Sequence, residues 1–302
     1  MSNLLQPRIL SSEPCVVASA SHDVWQMDAE GNKLVESVGM ISFINIKDIF
    51  SKTYVGCWPC LLPGNFNHLT KKHYQWVLRL AFWEWGLCNK LQVDHESIFY
   101  ENTTKTPFPT PFHLWALGIG IPLCFTPGGK PFKQGTVEKS HQTMHTQVCA
   151  GRTYPDFDAL FLSCQQRRQR LNYHIPCRTL NKKTPFEVFP EIKQPIRAYD
   201  PQNEENLFDP ARIYDYLDGG KWYRKVGSSK TFTLGAKQYS LKNAMPNTDV
   251  IITFDRLDKC FHCMDADGRY IAKLPPKGLS FKELSGNLED FILWAAKNSN
   301  IL

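Results

Sequence analysis

A change of texture near Asp218 constrains this chain more than any other feature. Upstream of it, β-type runs give way to helical and strand-like segments in alternation. Downstream, short β-type runs follow one another with little room for helices between them. The first pattern favours a mixed sheet with crossover connections, and the second a small all-β domain. A length of 302 residues accommodates both.

In the upstream part, residues 24–29 read as a strand with Trp25 and Met27 on one side and Gln26 and Asp28 on the other. Glu30-Gly-Asn-Lys33 reads as a turn. Residues 34–38 and 40–46 resume the β pattern, and 49–56 supply a third strand of an antiparallel meander. Thr70 caps a helix in which Tyr74, Val77, Leu78, Ala81, Phe82 and Trp85 recur at helical spacing, and Gly86 stops it. Residues 91–94 form a short apolar run suited to a buried parallel strand. A helix over 112–117, a strand over 122–126, a Gly/Pro loop and a helix from Gly135 or Thr136 follow. Asp156 or Asp158 caps another helix, and Thr184-Pro-Phe-Glu starts one more. Short strands are expected over 221–226, 231–234, 238–241, 250–254, 260–264 and 270–274, and a closing helix over 288–297. The expected organisation is an arm over 1–22, a core over 23–190, an acidic linker over 191–218, a small β-barrel over 219–276 and a helical tail over 277–302.

Composition narrows the class. Hydrophobic residues at 42% and aromatics at 13% exclude wholesale disorder. The longest nearly apolar run, 114–125, is too short and too rich in Gly and Pro to span a bilayer. No secretory signal is visible, so a cytoplasmic, nucleoid-associated protein with reduced thiols is expected. Cys57-Trp-Pro-Cys60 and Cys260-Phe-His-Cys263 have zinc-like spacing but fall in different expected domains, and packed thiols are the preferred reading. The net charge of +6 is uneven along the chain: 167–183 carries six basic residues and no acid, and so does 221–242. Between them, 200–218 carries six acids and one arginine. Two acid-free basic blocks point to cationic surfaces for an anionic polymer, with ordinary solvated charge as the alternative.

Three acids stand out by position. Asp28 ends the first strand, Asp94 the fourth, and Glu138 lies in the first turn of a helix. A right-handed crossover through helix 70–86 lays the fourth strand beside the first and makes Asp28 and Asp94 neighbours. Like charges gathered this way need cations, and carboxylate oxygens suit Mg²⁺ or Mn²⁺.

The stretch 24–189 resembles the catalytic core of DDE transposases and retroviral-type integrases. The matching motifs are Trp25-Gln-Met-Asp28, Leu91-Gln-Val-Asp94, Gly135-Thr-Val-Glu138-Lys139-Ser-His, and Arg170-Leu-Asn-Tyr-His174 through Thr184-Pro-Phe-Glu-Val-Phe189. The part with Leu234-Gly235, Tyr239 and Asp267-Gly-Arg269 is similar to the small β-barrel after the core in several bacterial transposases. The resemblance implies an α/β, RNase H-like mixed sheet flanked by helices, followed by a small all-β barrel. It also implies two Mg²⁺ or Mn²⁺ ions on Asp28, Asp94 and Glu138. The implied activity is DNA cleavage at element ends followed by 3′-OH strand transfer, with a non-catalytic assembly protein of the same fold as the alternative. Forty-three residues separate Asp94 from Glu138, more than is usual in that family, and a surface loop around 101–111 is the expected insertion. His95-Glu96 also departs from the family pattern.

Lys130, Lys133 and Lys139 are expected at DNA phosphates, and Gln142 and His145 share a helix face with Glu138 that either lines DNA or is solvated. Arg167, Arg168 and Arg170 are read as backbone contacts, and Lys221, Arg224 and Lys225 as DNA contacts from an aromatic-interleaved strand. DNA and further copies of the chain are the expected partners, with no membrane. Because only about 22 residues precede the first strand, a separate helix-turn-helix subunit or a missing N-terminal domain is also expected.

Overall fold

The computed structural model describes residues 17–62, 68–126 and 145–298. These residues divide into two compact units. One takes those within 12–94, 121–204 and 287–302; the other takes those within 95–120 and 205–286. Neither is a continuous segment.

The first unit is built on a five-stranded sheet in the order β3-β2-β1-β4-β5. β1 (Val24–Val35), β2 (Gly39–Asp48) and β3 (Tyr54–Leu61) form the antiparallel meander. β4 (Lys90–Val93) and β5 (Leu123–Phe125) add in parallel beyond β1. This is the RNase H-like arrangement. Helix α1 (Lys71–Trp85) makes the crossover from β3 to β4, opened by Thr70, whose backbone N–H donates to His73 Nδ1 (3.0 Å), and closed at Gly86.

Two local expectations differ from the structure. Glu30-Gly-Asn-Lys33 does not turn; β1 runs through it with a bulge between Glu30 and Lys33. The reversal comes instead at Ser37 and Gly39, both at positive φ. The third strand lies at 54–61 rather than 49–56 and contains Pro59. That proline is tolerated because β3 is the sheet edge, where a missing N–H costs no ladder bond. The β2–β3 reversal is fixed by buried Asp48, which accepts from Ser51 N–H and Oγ (both 2.7 Å) and from His22 N–H (2.8 Å).

Both faces of the sheet are covered, so its strands are apolar on both sides. On the α1 face, Trp25 stacks on Phe82 with ring centroids 5.9 Å apart. On the other, helix α3 (Phe157–Tyr173) presents Leu160, Cys164 and Leu171 to Val35, Ile41, Phe43 and Cys57. Asp156 caps α3 through Ala159 N–H (2.8 Å). The Thr-Pro step starts a single turn, α4 (Pro185–Val188), capped by Thr184 through Glu187 N–H (3.3 Å). The terminal helix α8 (Leu288–Lys297) covers α1, with Phe291 and Trp294 against Trp76 at 5.0 and 5.6 Å.

The acidic stretch after residue 190 is folded rather than extended. It contains α5 (Glu204–Leu207) and α6 (Pro210–Leu217), and Glu204 is fully buried. The reason is Arg79, also fully buried, whose Nε and a terminal nitrogen each donate to the Glu204 carboxylate at 2.7 Å.

In the second unit, β6 (Lys221–Lys225), β9 (Asp249–Asp255), β10 (Cys260–Asp265) and β11 (Tyr270–Leu274) form an antiparallel sheet in the order β11-β10-β9-β6. β7 (Thr231–Leu234) and β8 (Lys237–Ser240) form a separate hairpin. The two sheets share an aromatic core: Phe261 meets Trp222, Tyr239 and Phe254. A short helix α7 (Phe281–Leu284) follows, its first turn tied by the Ser280 hydroxyl donating to Glu283 (2.8 Å). The segment 101–111, expected at the surface, is so only in its first half: Asn102, Thr103 and Lys105 are exposed, whereas Thr106 and residues 108–110 are buried. Phe108 is 5% exposed and packs on Trp222 and Phe261, while Trp222 Nε1 donates to the Pro107 carbonyl (3.1 Å). The segment leads into α2 (Pro111–Gly118), whose His113 meets Tyr216 of α6 at 5.0 Å.

Candidate metal centre

Residues on β1 and β4 are paired Trp25 to Leu91 and Gln26 to Gln92. β4 ends at Val93; two further steps at the same register would bring Asp28, midway along β1, level with Asp94, given a spacing of about 4.8 Å between paired strands. On the other side, Asp28 pairs with Asn45 of β2. On the far side, β4 and β5 pair Val93 with Phe125, so Thr126 comes level with Asp94. Register partners point to the same face. Continued in this way, a polar row Asn45, Asp28, Asp94, Thr126 follows β2 and β1 and the residues just past β4 and β5, on the face that α3 covers further along the sheet. Gln26 and Gln92, both buried, form the pair beneath the two acids.

The acids themselves are half-buried, whereas Asn45 and Thr126 are buried. Local bonds hold them in place. Asp28 Oδ1 accepts from Ala29 N–H (3.0 Å), and Thr126 donates from both N–H and Oγ1 to the Val93 carbonyl (3.0 and 2.9 Å) just before Asp94. Two carboxylates, one within β1 and one just past the end of β4, with an amide and a hydroxyl in the same row, would make an all-oxygen donor set of the kind hard divalent cations prefer. Asn45 and Thr126 were not singled out in the sequence; their signal is register, which a single chain reveals only once β1, β2, β4 and β5 are paired.

Glu138, together with Lys130, Lys133, Lys139 and Gln142, lies outside the described residues, and so does the side chain of His145. The remaining cations separate into two kinds. Arg168 is 2% exposed and turned inward, donating to Glu84 (2.8 Å), the Val55 carbonyl (3.0 Å) and Gln165 (3.0 Å). Arg224 is likewise buried, bonded to Thr106 and ion-paired with Glu101 at 2.9 Å. Both are structural, and neither is available to DNA. Their partners, distant in sequence, were the missing signal. Arg170, Lys221 and Lys225 are exposed and Arg167 is half-buried.

The cysteine pairs do not make zinc sites of their own. Each lies in a strand, where residues three apart point to opposite faces. Burial pushes the Cys60 and Cys263 thiols up to about 12. Among the described residues, the one group of three or more His, Cys, Asp or Glu side chains close enough to share a metal ion is Asp255, Asp258 and His262 in the second unit. There the Lys273 ammonium already sits 2.7 Å from Asp258 Oδ2, the oxygen that His262 Nε2 approaches at 3.1 Å.

No family model matches the chain, and no curated protein matches it. Among solved structures, it is similar to the HTLV-2 integrase catalytic core domain in complex with magnesium, at 12% identity and a TM-score of 0.40, over 57% of this chain and 99% of that one. It is also similar to a chain of the simian T-cell lymphotropic virus intasome bound to the PP2A regulatory subunit B56 gamma, at 12% identity and a TM-score of 0.44, over 85% and 81% of the two chains. The BIV integrase catalytic core matches at 17% identity and a TM-score of 0.38, over 57% and 95%. By strand order, by the parallel placement of β4 beside β1 and by its helical layers, the first unit has an RNase H-like fold.

Proposed function

We propose that this chain is a divalent-metal-dependent polynucleotidyl transferase that cleaves DNA at element ends and joins the freed 3′-OH to target DNA. The observation that supports the reading is the β1–β4 register, Trp25 to Leu91 and Gln26 to Gln92; continued by two steps it would set Asp28, midway along β1 rather than at its end, beside Asp94, just past the end of β4. Asp28, Asp94 and Glu138 would hold two Mg²⁺ or Mn²⁺ ions, Glu138 by its place in the motif. Such ions activate an attacking oxygen and stabilise the leaving oxygen of a phosphodiester. The chain's own part is to fix the donors. β1 holds Asp28, the Ala29 N–H orients one of its oxygens, and Thr126 pins the backbone at Val93, the residue before Asp94. Water and a DNA hydroxyl serve as nucleophiles, which fits a chain whose Cys57, Cys60 and Cys88 thiols are buried and held protonated. DNA is the proposed partner, and pairing two ends requires more than one copy.

The test is incubation of a labelled DNA end with Mn²⁺ and either wild type or Asp94→Asn. Cleaved and joined products from wild type alone support the reading. Nicking without joining reduces it to a nuclease. If wild type with an added DNA-binding domain yields neither product, the chain is a non-catalytic DNA-binding or assembly protein.

A further inference from the structure

The well-buried arginines of this chain share a rule. Arg79 faces Glu204, Arg168 faces Glu84 and Arg224 faces Glu101. A guanidinium taken out of water is expected to meet a carboxylate in this way, since burying it alone is costly.

A second cluster has no carboxylate beside it among the described residues: half-buried Arg167 and exposed Arg152 and Arg170 converge on a cavity of about 310 Å³ between α3 and the π-helical turn His145–Cys149. That volume is at the lower end of small-molecule sites. The rest of its wall is uncharged and polar, including Gln147, Ser163 and Gln166. No carboxylate lines it among the described residues. Arg167 Nε is buried there and has no hydrogen-bond partner among them. Burial, and then the neighbouring Arg170 and Arg152 charges, hold the Arg167 guanidinium below its ordinary range, while Tyr54 acts in the opposite sense. Three like charges are held together with donor capacity left over.

We propose that this cavity binds a phosphoryl oxyanion, its oxygens taken by the Arg152, Arg167 and Arg170 guanidiniums with the Gln147 and Gln166 amides at the rim. Planar guanidiniums suit this role because each presents paired N–H groups to two oxygens. The proposal does not rest on the reading of Asp28 and Asp94. The phosphoryl group belongs either to a small free anion or to the backbone of a nucleic acid, and both sources present the same chemistry.

The test uses the full chain in EDTA, which keeps the acid pair out of the measurement. One arm follows the melting temperature with added pyrophosphate. The other follows fluorescence anisotropy with a duplex oligonucleotide over a salt series. Wild type is compared with Arg167→Gln, Arg170→Gln, the double variant, and Lys282→Gln, exposed and outside both basic blocks, as a surface control. Arg170 is exposed, so Arg170→Gln stays informative if Arg167→Gln fails to fold. Loss of a pyrophosphate-induced shift in the arginine variants, but not in the control, assigns a free-anion site. A DNA affinity reduced about tenfold, with a salt slope smaller by about one for each arginine removed, assigns a backbone site. If wild type and arginine variants respond alike in both arms, the proposal is overturned.

Discussion

Replacing Arg79 by Met tests how the core tolerates its one fully buried bidentate ion pair among the described residues. Both side chains are inaccessible, two N–H···O bonds of 2.7 Å join them, and the Tyr199 hydroxyl donates a third bond to the carboxylate at 2.6 Å. The attraction of such a pair is about 4 kcal/mol at an effective dielectric of about 20 and a separation of about 4 Å. Desolvation of both ions cancels most of that, so the intact pair contributes little net stability. Breaking it is different: Arg79→Met strands the Glu204 charge, and the expected loss is about 3–5 kcal/mol. Adding Glu204→Gln removes the stranded charge while keeping an acceptor for Tyr199. The double variant should therefore recover to within about 1–2 kcal/mol of wild type. Urea unfolding followed by tryptophan fluorescence reads the core directly, because Trp25, Trp58, Trp76 and Trp85 belong to the first unit. A single-variant loss below about 1 kcal/mol, or a double-variant loss equal to the sum of the singles, would refute the argument.

Three further outcomes are expected. With Mg²⁺ at about a hundredfold over its dissociation constant, wild type should gain about 2.7 kcal/mol of stability, and Asp28→Asn or Asp94→Asn should abolish the gain; an undiminished thermal shift counts against the acid pair as ligands. His113 is buried and its imidazole is pushed down to about 3 by desolvation. The unfolded chain therefore takes the proton first, and stability present above about pH 6.5 should fall by about 1.4 kcal/mol per pH unit on acidification towards pH 3. That slope should be missing from His113→Leu in the difference between the two pH profiles. Gly86 has φ 74° and ψ −177°, and a Cβ there would collide with the Arg197 carbonyl and lie 2.6 Å from Pro195. Gly86→Ala should therefore lower the unfolding free energy in urea by more than the ~1–3 kcal/mol of backbone strain alone, and a midpoint matching wild type would show that the segment at 195–197 moves freely.

What the sequence disclosed was set by how local the determining interactions are. The helix after Thr70 and the strands of the second unit followed from period and punctuation. Most of those strands lie within a residue of expectation, because half-buried alternation such as Trp222 and Arg224 against Lys221, Tyr223 and Lys225 is a local property. The adjacency of β1 and β4 was legible because a right-handed crossover leaves few choices. Turn chemistry misled at Glu30-Gly-Asn-Lys33, where strand pairing overrode a good turn and absorbed it as a bulge. Pro59 argued against a strand until β3 proved to be an edge. The fates of Arg168, Arg224 and the 101–111 segment were hidden because their partners lie far away along the chain. A basic residue that closes on Glu84 or Glu101 looks, in one dimension, the same as one that faces DNA.

The interleaving of the two units carries a consequence for how the molecule is made. Trp76, early in the chain, is shielded by Phe291 and Trp294 of α8, and Arg79 waits for Glu204. During synthesis, α1 emerges with an aromatic face and a lone cation whose partners have not yet been translated. Loop closure over such separations is slow and leaves apolar surface exposed in the interval. The nascent chain should therefore depend on chaperones until α8 has been released. Ribosome-bound chains halted before Leu288 should bind a hydrophobic dye, and the finished protein should not.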